Sequence, residues 1–309
     1  MKKALAIDIG GTKIHGAIFD ETGKILLEHE VPTDAQRGAK EVLKSINQLI
    51  DELKAQIKPN VIGIGIPGRI NVAKGSFYYP PNNIPGFEKI SIRKVLEKKH
   101  HIPVIVDNDV NVAGLGEEWM GAAKGRNSYV LVALGTGIGG AVKVDGVRLH
   151  GAHWSATEIG HMTLYPHGRQ CNCGTIGCFE QYCSGPALVR GYNELNPDHP
   201  IKAGYDFFPL VDAKDPIAIK VLAKFVDDLK VGLNNLMNAY DPEAFLIGGG
   251  LINTKKYWWD ELIKALKASP MADIYMPKIL PTKLGNNSCI YGAAYLGFEY
   301  LKTKPKVAE

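Results

Sequence analysis

The sequence predicts an α/β protein built from a duplicated unit. Residues 4–31 and residues 128–145 each contain β-rich runs joined by a tight glycine turn. After each of these segments, short apolar runs typical of buried strands alternate with stretches in which apolar residues recur at helical spacing. Strands that alternate with helices indicate a largely parallel sheet, and the recurrence of the starting pattern indicates two copies of one unit.

The first copy begins with an antiparallel meander. Its three strands, predicted at 4–9, 14–19 and 24–31, are separated by Gly10-Gly11 and by a turn at 20–23. Apolar residues at helical spacing then predict a helix over 36–57. The elements expected after it are strands at 61–66 and 104–106 and a helix over about 110–122.

The second copy repeats the glycine-turned hairpin and continues to the end of the chain. We expect strands at 128–134 and 140–144, a helix over about 214–239, a strand at 244–247, a helix over about 255–268, a strand at about 274–280 and a helix over about 291–303. No Pro/Ser-rich linker separates the copies, so we place the boundary near residue 115.

Composition excludes several classes of protein. The chain has 309 residues, 45% hydrophobic and 22% charged, which is typical of a globular protein with two domains. The net charge of +4 and the absence of a dense basic run argue against nucleic acid as a partner. No apolar run approaches the roughly 20 residues that span a bilayer, and Asp8 interrupts the N-terminal apolar run too early for a signal peptide.

Three of the five cysteines lie at metal-ligand spacing. Cys171, Cys173 and Cys178 occupy a glycine-containing loop, with histidines at 153, 161 and 167 nearby. Three thiolates and one imidazole form a complete tetrahedral zinc shell, and a closed shell of this kind is structural. The clustering also favours a reducing cytosol over a disulfide framework. We therefore predict a structural Zn²⁺ that holds neighbouring side chains rigid.

Two glycine turns are candidates for binding a polyphosphate. They are Asp8-Ile-Gly-Gly-Thr-Lys13 and Gly135-Thr-Gly-Ile-Gly-Gly140. Glycine lets backbone N–H groups approach an anion, and Asp8 is suited to Mg²⁺ or its waters. The simpler alternative is a hairpin turn that needs glycine only for its geometry. Residues 135–140 match Gly-x-Gly-x-x-Gly, but a strand is predicted after them, which excludes a dinucleotide fold that requires a helix there.

Asp109 is the candidate general base. It follows the apolar strand Val104–Val106 within Asp107-Asn-Asp-Val-Asn111, and a carboxylate at a strand end is held rigidly. A base of this kind contributes on the order of 10²–10⁴ in rate. The alternative is that Asp107 or Asp109 caps the following helix, and this alternative suits Asp107 well.

The chain resembles the ROK sugar kinases. Asp8-Ile-Gly-Gly-Thr-Lys13, Asn108-Asp109-Val-Asn111, Glu158-Ile-Gly-His161 and Cys171-x-Cys-Gly-x-x-Gly-Cys-x-Glu180 occur in the order and spacing of that family. The resemblance implies the actin-like ATPase/hexokinase (ribonuclease H-like) fold, with ATP and sugar in a cleft between two domains. It further implies that the C-terminal helix packs on the first domain. The small domain then comprises 1–115 plus 291–309 and carries the first phosphate turn and the catalytic Asp, and the large domain comprises 116–290 and carries the second phosphate turn, the zinc loop and the adenosine site.

The resemblance also assigns roles to residues. It implies that Asp109 accepts the proton of the sugar 6-hydroxyl and that His161 is the fourth zinc ligand. The residues implied to contact the sugar are Gly68, Asn83, Asn108, Asp109, Glu158, His161 and Glu180. Those expected to bind the nucleotide are Asp8, Gly10, Gly11, Thr12, Lys13, Gly135, Thr136, Gly137, Gly249 and Gly250.

These observations predict an ATP-dependent hexose 6-kinase, a transferase of carbohydrate metabolism and glycolysis, with glucose as the expected substrate. N-acetylmannosamine, N-acetylglucosamine and fructose kinases share the motifs and remain alternatives. A sugar-sensing repressor of the same family is disfavoured, because nothing basic or helical precedes the first strand. We expect a cytoplasmic homodimer whose ligands are a hexose and a nucleotide, with ATP, Mg²⁺ and structural Zn²⁺ as cofactors.

Overall fold

The computed structural model describes residues 1–80, 84–88 and 90–303. Strands and α-helices alternate along the described chain much as the periodicity predicts. In chain order they are β1 (Lys3–Ile9), β2 (Lys13–Asp20), β3 (Ile25–Pro32), α1 (Ala39–Gln56), β4 (Val61–Ile66), β5 (Arg69–Asn71), β6 (Ser76–Tyr79), α2 (Ile92–His100), β7 (Val104–Asn108), α3 (Asp109–Met120), β8 (Tyr129–Leu134), β9 (Ile138–Val144), β10 (Val147–Arg148), α4 (Gly185–Leu195), α5 (Gly204–Asp212), α6 (Pro216–Tyr240), β11 (Ala244–Gly248), α7 (Trp259–Lys267), β12 (Lys278–Pro281) and α8 (Ser288–Thr303).

The chain divides into two compact units. The first contains Met1–Gly125, His150–Ala156 and Thr282–Glu309, and the second contains Arg126–Leu149 and Thr157–Pro281. The division after Gly125 leaves α3 intact within the first unit, whereas the boundary drawn from sequence near residue 115 passes through that helix.

The first unit contains a five-stranded sheet in the order β3-β2-β1-β4-β7. β1 pairs antiparallel with β2 and parallel with β4, and β4 pairs parallel with β7. Helix α1 buries the apolar stripe Val42, Ile46, Leu49, Ile50 and Leu53, which belongs to the same apolar cluster as the β1 and β4 side chains. The apolar residues of α8 form a second cluster with Ala4, Ala6 and residues of α3, so the sheet lies between two helical layers.

The second unit repeats this sheet. Its strand order is β10-β9-β8-β11-β12, with β8 antiparallel to β9 and parallel to β11, and β11 parallel to β12. The duplication predicted from the two glycine-turned hairpins is therefore present in the sheet topology. Helix α6 packs its long apolar stripe, including Leu229, Leu233 and Leu236, into the core beneath this sheet.

Several element boundaries differ from the sequence prediction. The helix predicted over 255–268 is α-helical only from Trp259, because Gly250–Tyr257 forms a 3₁₀ helix. The strand predicted at about 274–280 begins later, at Lys278. The hairpin β5–β6 and the helices α2, α4 and α5 were not predicted. No helix in the described part of the chain combines the length and apolarity needed to cross a membrane.

Candidate active site and metal centre

The first unit places acidic residues at the carboxyl ends of β1 and β7, the two strands that flank β4 in the sheet. Asp8 of β1 is in register with Gly65 of β4, and Gly65 is in register with Asp107 of β7. A Cβ at position 65 would overlap the Cys289 sulfur, so glycine is required for α8 to approach this edge. The arrangement brings the Asp8 carboxylate close to Asp109, which begins α3.

Asn108, not Asp107, caps the helix that carries the candidate base. Its Oδ1 accepts hydrogen bonds from the backbone N–H groups of Val110 at 2.9 Å and Asn111 at 3.1 Å. Its Nδ2 donates to Asp109 Oδ1 at 2.9 Å and to the Gly68 carbonyl at 3.1 Å. The alternative in which Asp107 caps this helix is therefore wrong, because the chain leaves β7 one residue later than that alternative requires.

Asp109 has the properties of a general base. Its side chain is half-buried, and its Oδ1 accepts hydrogen bonds from the Val110 N–H at 3.0 Å and from Asn108. Loss of solvation, and secondarily the neighbouring charge of Asp8, raise the pKa of Asp109 from 3.8 to about 6. Burial also raises the pKa of Asp8 above its ordinary value. A carboxylate with a pKa near 6 is ionised at neutral pH and accepts a proton more readily than an ordinary one.

Asp107 does not cap α3 but pairs with His150. The residue is buried, its Oδ2 lies 2.8 Å from His150 Nε2, and its Oδ1 accepts the Asn108 N–H at 2.7 Å. The pair fixes the peptide between Asp107 and Asn108, one residue before Asp109. His150 was not identified from sequence, because a single histidine in a loop gives no motif.

The first glycine turn is held in place by hydrogen bonds from a buried threonine, Thr33. Gly10 N–H bonds to the Lys13 carbonyl at 3.0 Å, which closes the turn between β1 and β2. Thr33 is fully buried; its hydroxyl donates to the Gly10 carbonyl at 2.7 Å, and its N–H donates to the Thr12 carbonyl at 3.0 Å. These bonds leave Gly11 and Thr12 on the exposed side of the turn, as an anion site requires.

Of the three remaining predicted residues, Lys13, Gly68 and Asn83, the first two lie within the described chain. Lys13 begins β2 and is exposed, and its Nζ lies 2.6 Å from Glu30 Oε1. Gly68 has a φ of +112° and accepts the bond from Asn108. Asn83 lies outside the described residues.

The second glycine turn opens onto a cavity of about 820 Å³ within the second unit. Gly135 N–H bonds to the Gly137 carbonyl at 2.9 Å, and the Gly185 N–H at the start of α4 bonds to the Gly135 carbonyl at 2.9 Å. Strand β9 follows the turn, as predicted, so the glycines do not begin a dinucleotide-binding helix. The cavity lining includes Gly135, Thr136, Gly185, Pro186, Val189, Arg190, Asn193, Glu194, Lys202, Ala203, Gly204, Gly250 and Leu251.

The two glycines predicted to bind the nucleotide after β11 have different surroundings. Gly250 lines the cavity, whereas Gly249 packs against the Leu134 backbone and is not part of the lining. The wall that the sequence prediction missed comes from α4 and from the residues before α5. Ser184 caps α4 and Pro186 lies in its first turn, so the start of this helix could have been predicted from its capping signal.

The predicted metal ligands lie together. One ligand atom each from His161, Cys171, Cys173 and Cys178 falls within 4.8 Å of all the others. Cys173 Sγ and Cys178 Sγ are 3.5 Å apart, and Cys171 Sγ is 3.7 Å from His161 Nδ1. Sulfurs bound to one tetrahedral zinc at 2.3 Å are about 3.8 Å apart, so this donor set and its spacing fit Zn²⁺.

The two candidate sugar-reading glutamates flank His161. Glu158 Oε2 lies 3.9 Å from His161 Nε2, whereas the other ring nitrogen, Nδ1, is the one near the Cys171 sulfur. Glu180 Oε1 lies 3.7 Å from His161 Nδ1 and accepts a bond from the Cys171 thiol at 3.3 Å. Glu180 Oε2 lies 2.5 Å from the position that a Cβ on Gly137 would take. Glu180 therefore joins the metal cluster to the second glycine turn.

The structure contains two copies of one five-stranded sheet, each with a glycine turn after its first strand. This arrangement is the actin-like ATPase/hexokinase fold. The Cys₃His cluster beside the second turn is a feature that most proteins of this fold lack, and it points to one family within the fold. The sequence matches the profile of the ROK family over residues 4–299. The chain belongs to this family.

Individual relatives are similar over nearly their whole length. A glucokinase from Halalkalibacterium halodurans is 34% identical, and the alignment covers 94% of each chain. A ROK hexokinase from Thermus thermophilus has a TM-score of 0.87 at 32% identity, covering 98% of this chain and 100% of that one. A ROK family glucokinase from Streptomyces griseus, solved in complex with glucose and AMPPNP, has a TM-score of 0.80 at 28% identity, covering 96% of this chain and 99% of that one.

Proposed function

We propose that this protein is an ATP-dependent glucokinase that phosphorylates the 6-hydroxyl of glucose. The observation that carries the proposal is Asp109, a hydrogen-bonded carboxylate at the start of α3, directly after β7, whose pKa is raised to about 6. Glucokinases that are 31–34% identical over most of the chain support glucose as the hexose. The glucose and AMPPNP bound in the Streptomyces griseus relative support a sugar and a nucleotide as the two ligands.

The nucleotide is assigned to the two glycine turns and the cavity of the second unit. The cavity volume of about 820 Å³ is within the range of small-molecule and cofactor sites, and the cavity lining is mostly apolar with a few polar groups. Backbone N–H groups of both turns suit phosphate oxygens. Mg²⁺, when bound with the nucleotide, would neutralise phosphate charge, and Asp8 is the residue suited to hold it or its waters.

The sugar is assigned to Glu158, His161 and Glu180, together with Asn108 and Gly68. Carboxylates accept hydrogen bonds from sugar hydroxyls, and imidazole can donate or accept. His161 Nδ1 faces the sulfurs, so Nε2 remains on the side of Glu158. The imidazole can therefore ligate a metal with one nitrogen and meet a hydroxyl with the other.

Asp109 takes the proton as the 6-hydroxyl attacks the terminal phosphoryl group. Its Oδ1 is held by Asn108 and by the Val110 N–H, which leaves Oδ2 for the substrate. Phosphoryl transfer depends mainly on positioning and charge stabilisation, so the turns and the base together account for most of the required groups.

The Cys₃His cluster is proposed to hold a structural Zn²⁺. Four protein ligands complete a tetrahedral shell, so the ion braces the loop that carries Glu180 instead of activating a water molecule. A cytoplasmic location is supported by five cysteines that form no disulfide bond. The homodimer expected from sequence stays a prediction that size-exclusion chromatography with light scattering can test.

The test is ADP release by the purified protein with Mg²⁺-ATP and a panel of glucose, mannose, fructose, N-acetylglucosamine and N-acetylmannosamine. We expect glucose to give the highest kcat/KM. A higher kcat/KM for an N-acetylhexosamine would overturn glucose as the substrate while retaining the kinase. No sugar-dependent ADP release would overturn the kinase.

A further inference from the structure

The side chain of Gln181 lies between the metal cluster and the wall of the nucleotide cavity. It follows Glu180 in the 3₁₀ turn Phe179–Gln181. Its Oε1 accepts a hydrogen bond from Arg190 Nη1 at 2.8 Å. Its Nε2 points toward Glu180 Oε1 at 3.4 Å and Cys171 Sγ at 3.6 Å.

Arg190 determines which way the amide faces. A guanidinium only donates hydrogen bonds, so the oxygen of the Gln181 amide must face Arg190. The two N–H bonds are then directed at the Cys171 sulfur and the Glu180 carboxylate, both of which accept. The amide orientation is thus dictated by its three partners.

The need for this donor increases when a metal binds. The Cys171 thiol donates to Glu180 at 3.3 Å, but a metal-bound thiolate has no proton to donate. The sulfur and the carboxylate then become two adjacent acceptors, both negatively charged. Gln181 Nε2 is a neutral group that can donate to both of them, which offsets their repulsion.

Arginine contacts also attach this turn to α4. Arg169 Nη1 donates to the Gln181 carbonyl at 2.8 Å, and Arg169 Nη2 lies 2.5 Å from Glu194 Oε2. Both Glu194 and Arg190 line the 820 Å³ cavity. The turn that carries Glu180 is therefore linked to the wall of the cavity through the backbone carbonyl of Gln181 and through the Gln181 side chain.

We propose that Gln181, oriented by Arg190, is a positioning residue that donates to the Cys171 sulfur and the Glu180 carboxylate. It thereby strengthens metal retention and fixes Glu180 for the sugar. The part of the proposal that concerns sugar rests on the proposed function, whereas the part that concerns the metal does not.

The experiment compares Gln181→Met, which removes the donor at similar volume, with Gln181→Glu, which keeps the shape and adds a charge. Gln56→Met, at an exposed position of α1, is the matched control. Zinc transfer to a chromogenic chelator is measured first, and we expect a 10–100-fold loss of zinc affinity in Gln181→Met, as for other groups that support metal ligands. Gln181→Glu should lose more, because its carboxylate adds a third negative charge.

Two further readouts separate positioning from a general structural effect. In the Co²⁺-substituted protein, loss of the N–H···S bond should move the thiolate-to-cobalt charge-transfer band to lower energy. The KM for glucose should rise roughly tenfold with kcat nearly unchanged, as expected for losing a hydrogen bond to a charged group. Arg190→Met should weaken zinc binding less than Gln181→Met, because the amide loses its orientation but keeps its donor.

Zinc affinity like that of Gln56→Met in both Gln181 variants would overturn the proposal, and so would weakened zinc binding with an unmoved cobalt band. Altered zinc affinity and a shifted band in a protein without sugar-dependent ADP release would support the metal role and would contradict only the proposed kinase activity.

Discussion

Replacing Asp109 with Asn should remove the catalytic base and leave its surroundings in place. The Asn Oδ1 can still accept from Asn108 Nδ2 and from the Val110 N–H, which now lie 2.9 and 3.0 Å from the Asp oxygen. The amide NH₂ then occupies the position of Oδ2, where it cannot accept a proton. The loss is therefore the general-base contribution, a fall in kcat of about 10²–10⁴-fold, or about 3–5 kcal/mol of transition-state stabilisation.

The same substitution makes a prediction about stability. The pKa of Asp109 is about 6 in the folded protein against an ordinary value of 3.8, so the folded state holds this proton more tightly than the unfolded state does. The ionised carboxylate consequently opposes folding above about pH 6, and this opposition disappears as the pH falls toward 4. Asp109→Asn should therefore melt at the same or a higher temperature than the wild type at pH 8, with the difference shrinking at pH 4.5.

The assay combines coupled ADP release, calorimetric glucose binding and thermal melts at the two pH values. Asp145→Asn is the matched control, because Asp145 is exposed and has a φ of +49°, a conformation that Asn also tolerates. A kcat within about threefold of the wild type would refute Asp109 as the base. Loss of glucose binding together with a lower melting temperature would refute the claim that its surroundings survive.

The remaining predictions concern the glycine turns and the pH profile. Gly137→Ala places a methyl 2.5 Å from Glu180 Oε2, so steady-state kinetics should show a raised KM for glucose. Thr33→Val leaves the Gly10 carbonyl without its hydroxyl donor, and we expect a KM for ATP raised several-fold and a free energy of unfolding lowered by about 1–3 kcal/mol. Since Asp109 must be ionised to accept a proton and its pKa is about 6, kcat/KM for glucose should fall roughly tenfold from pH 7 to pH 5. A flat profile across that range would contradict the assignment.

The sequence was most informative where the residues that form a feature are close together along the chain. Asp109 could be proposed as the base because two aspartates directly follow an apolar strand, and three metal ligands because the cysteines lie in one short loop. The choice of His161 among three nearby histidines came from the family resemblance. The presence of two similar sheets could be predicted because two hairpins each contain a glycine turn.

Features that depend on tertiary contacts were not predictable in this way. Thr33 supports a turn 23 residues away in sequence, and His150 contacts Asp107 across 43 residues. One wall of the 820 Å³ cavity comes from α4 and from residues 202–204 at the start of α5, segments that are distant in sequence from Gly135. Asp107 was preferred as the helix cap because sequence alone does not show at which residue β7 ends.

The most direct test of the proposed activity is ³¹P NMR of the products formed from glucose and Mg²⁺-ATP. We expect new phosphomonoester signals from the two anomers of glucose 6-phosphate, together with those of ADP, and a rate on the order of 10²–10⁴-fold lower with Asp109→Asn. Inorganic phosphate as the main product, a phosphate at another hydroxyl, or an unchanged rate in the variant would contradict it.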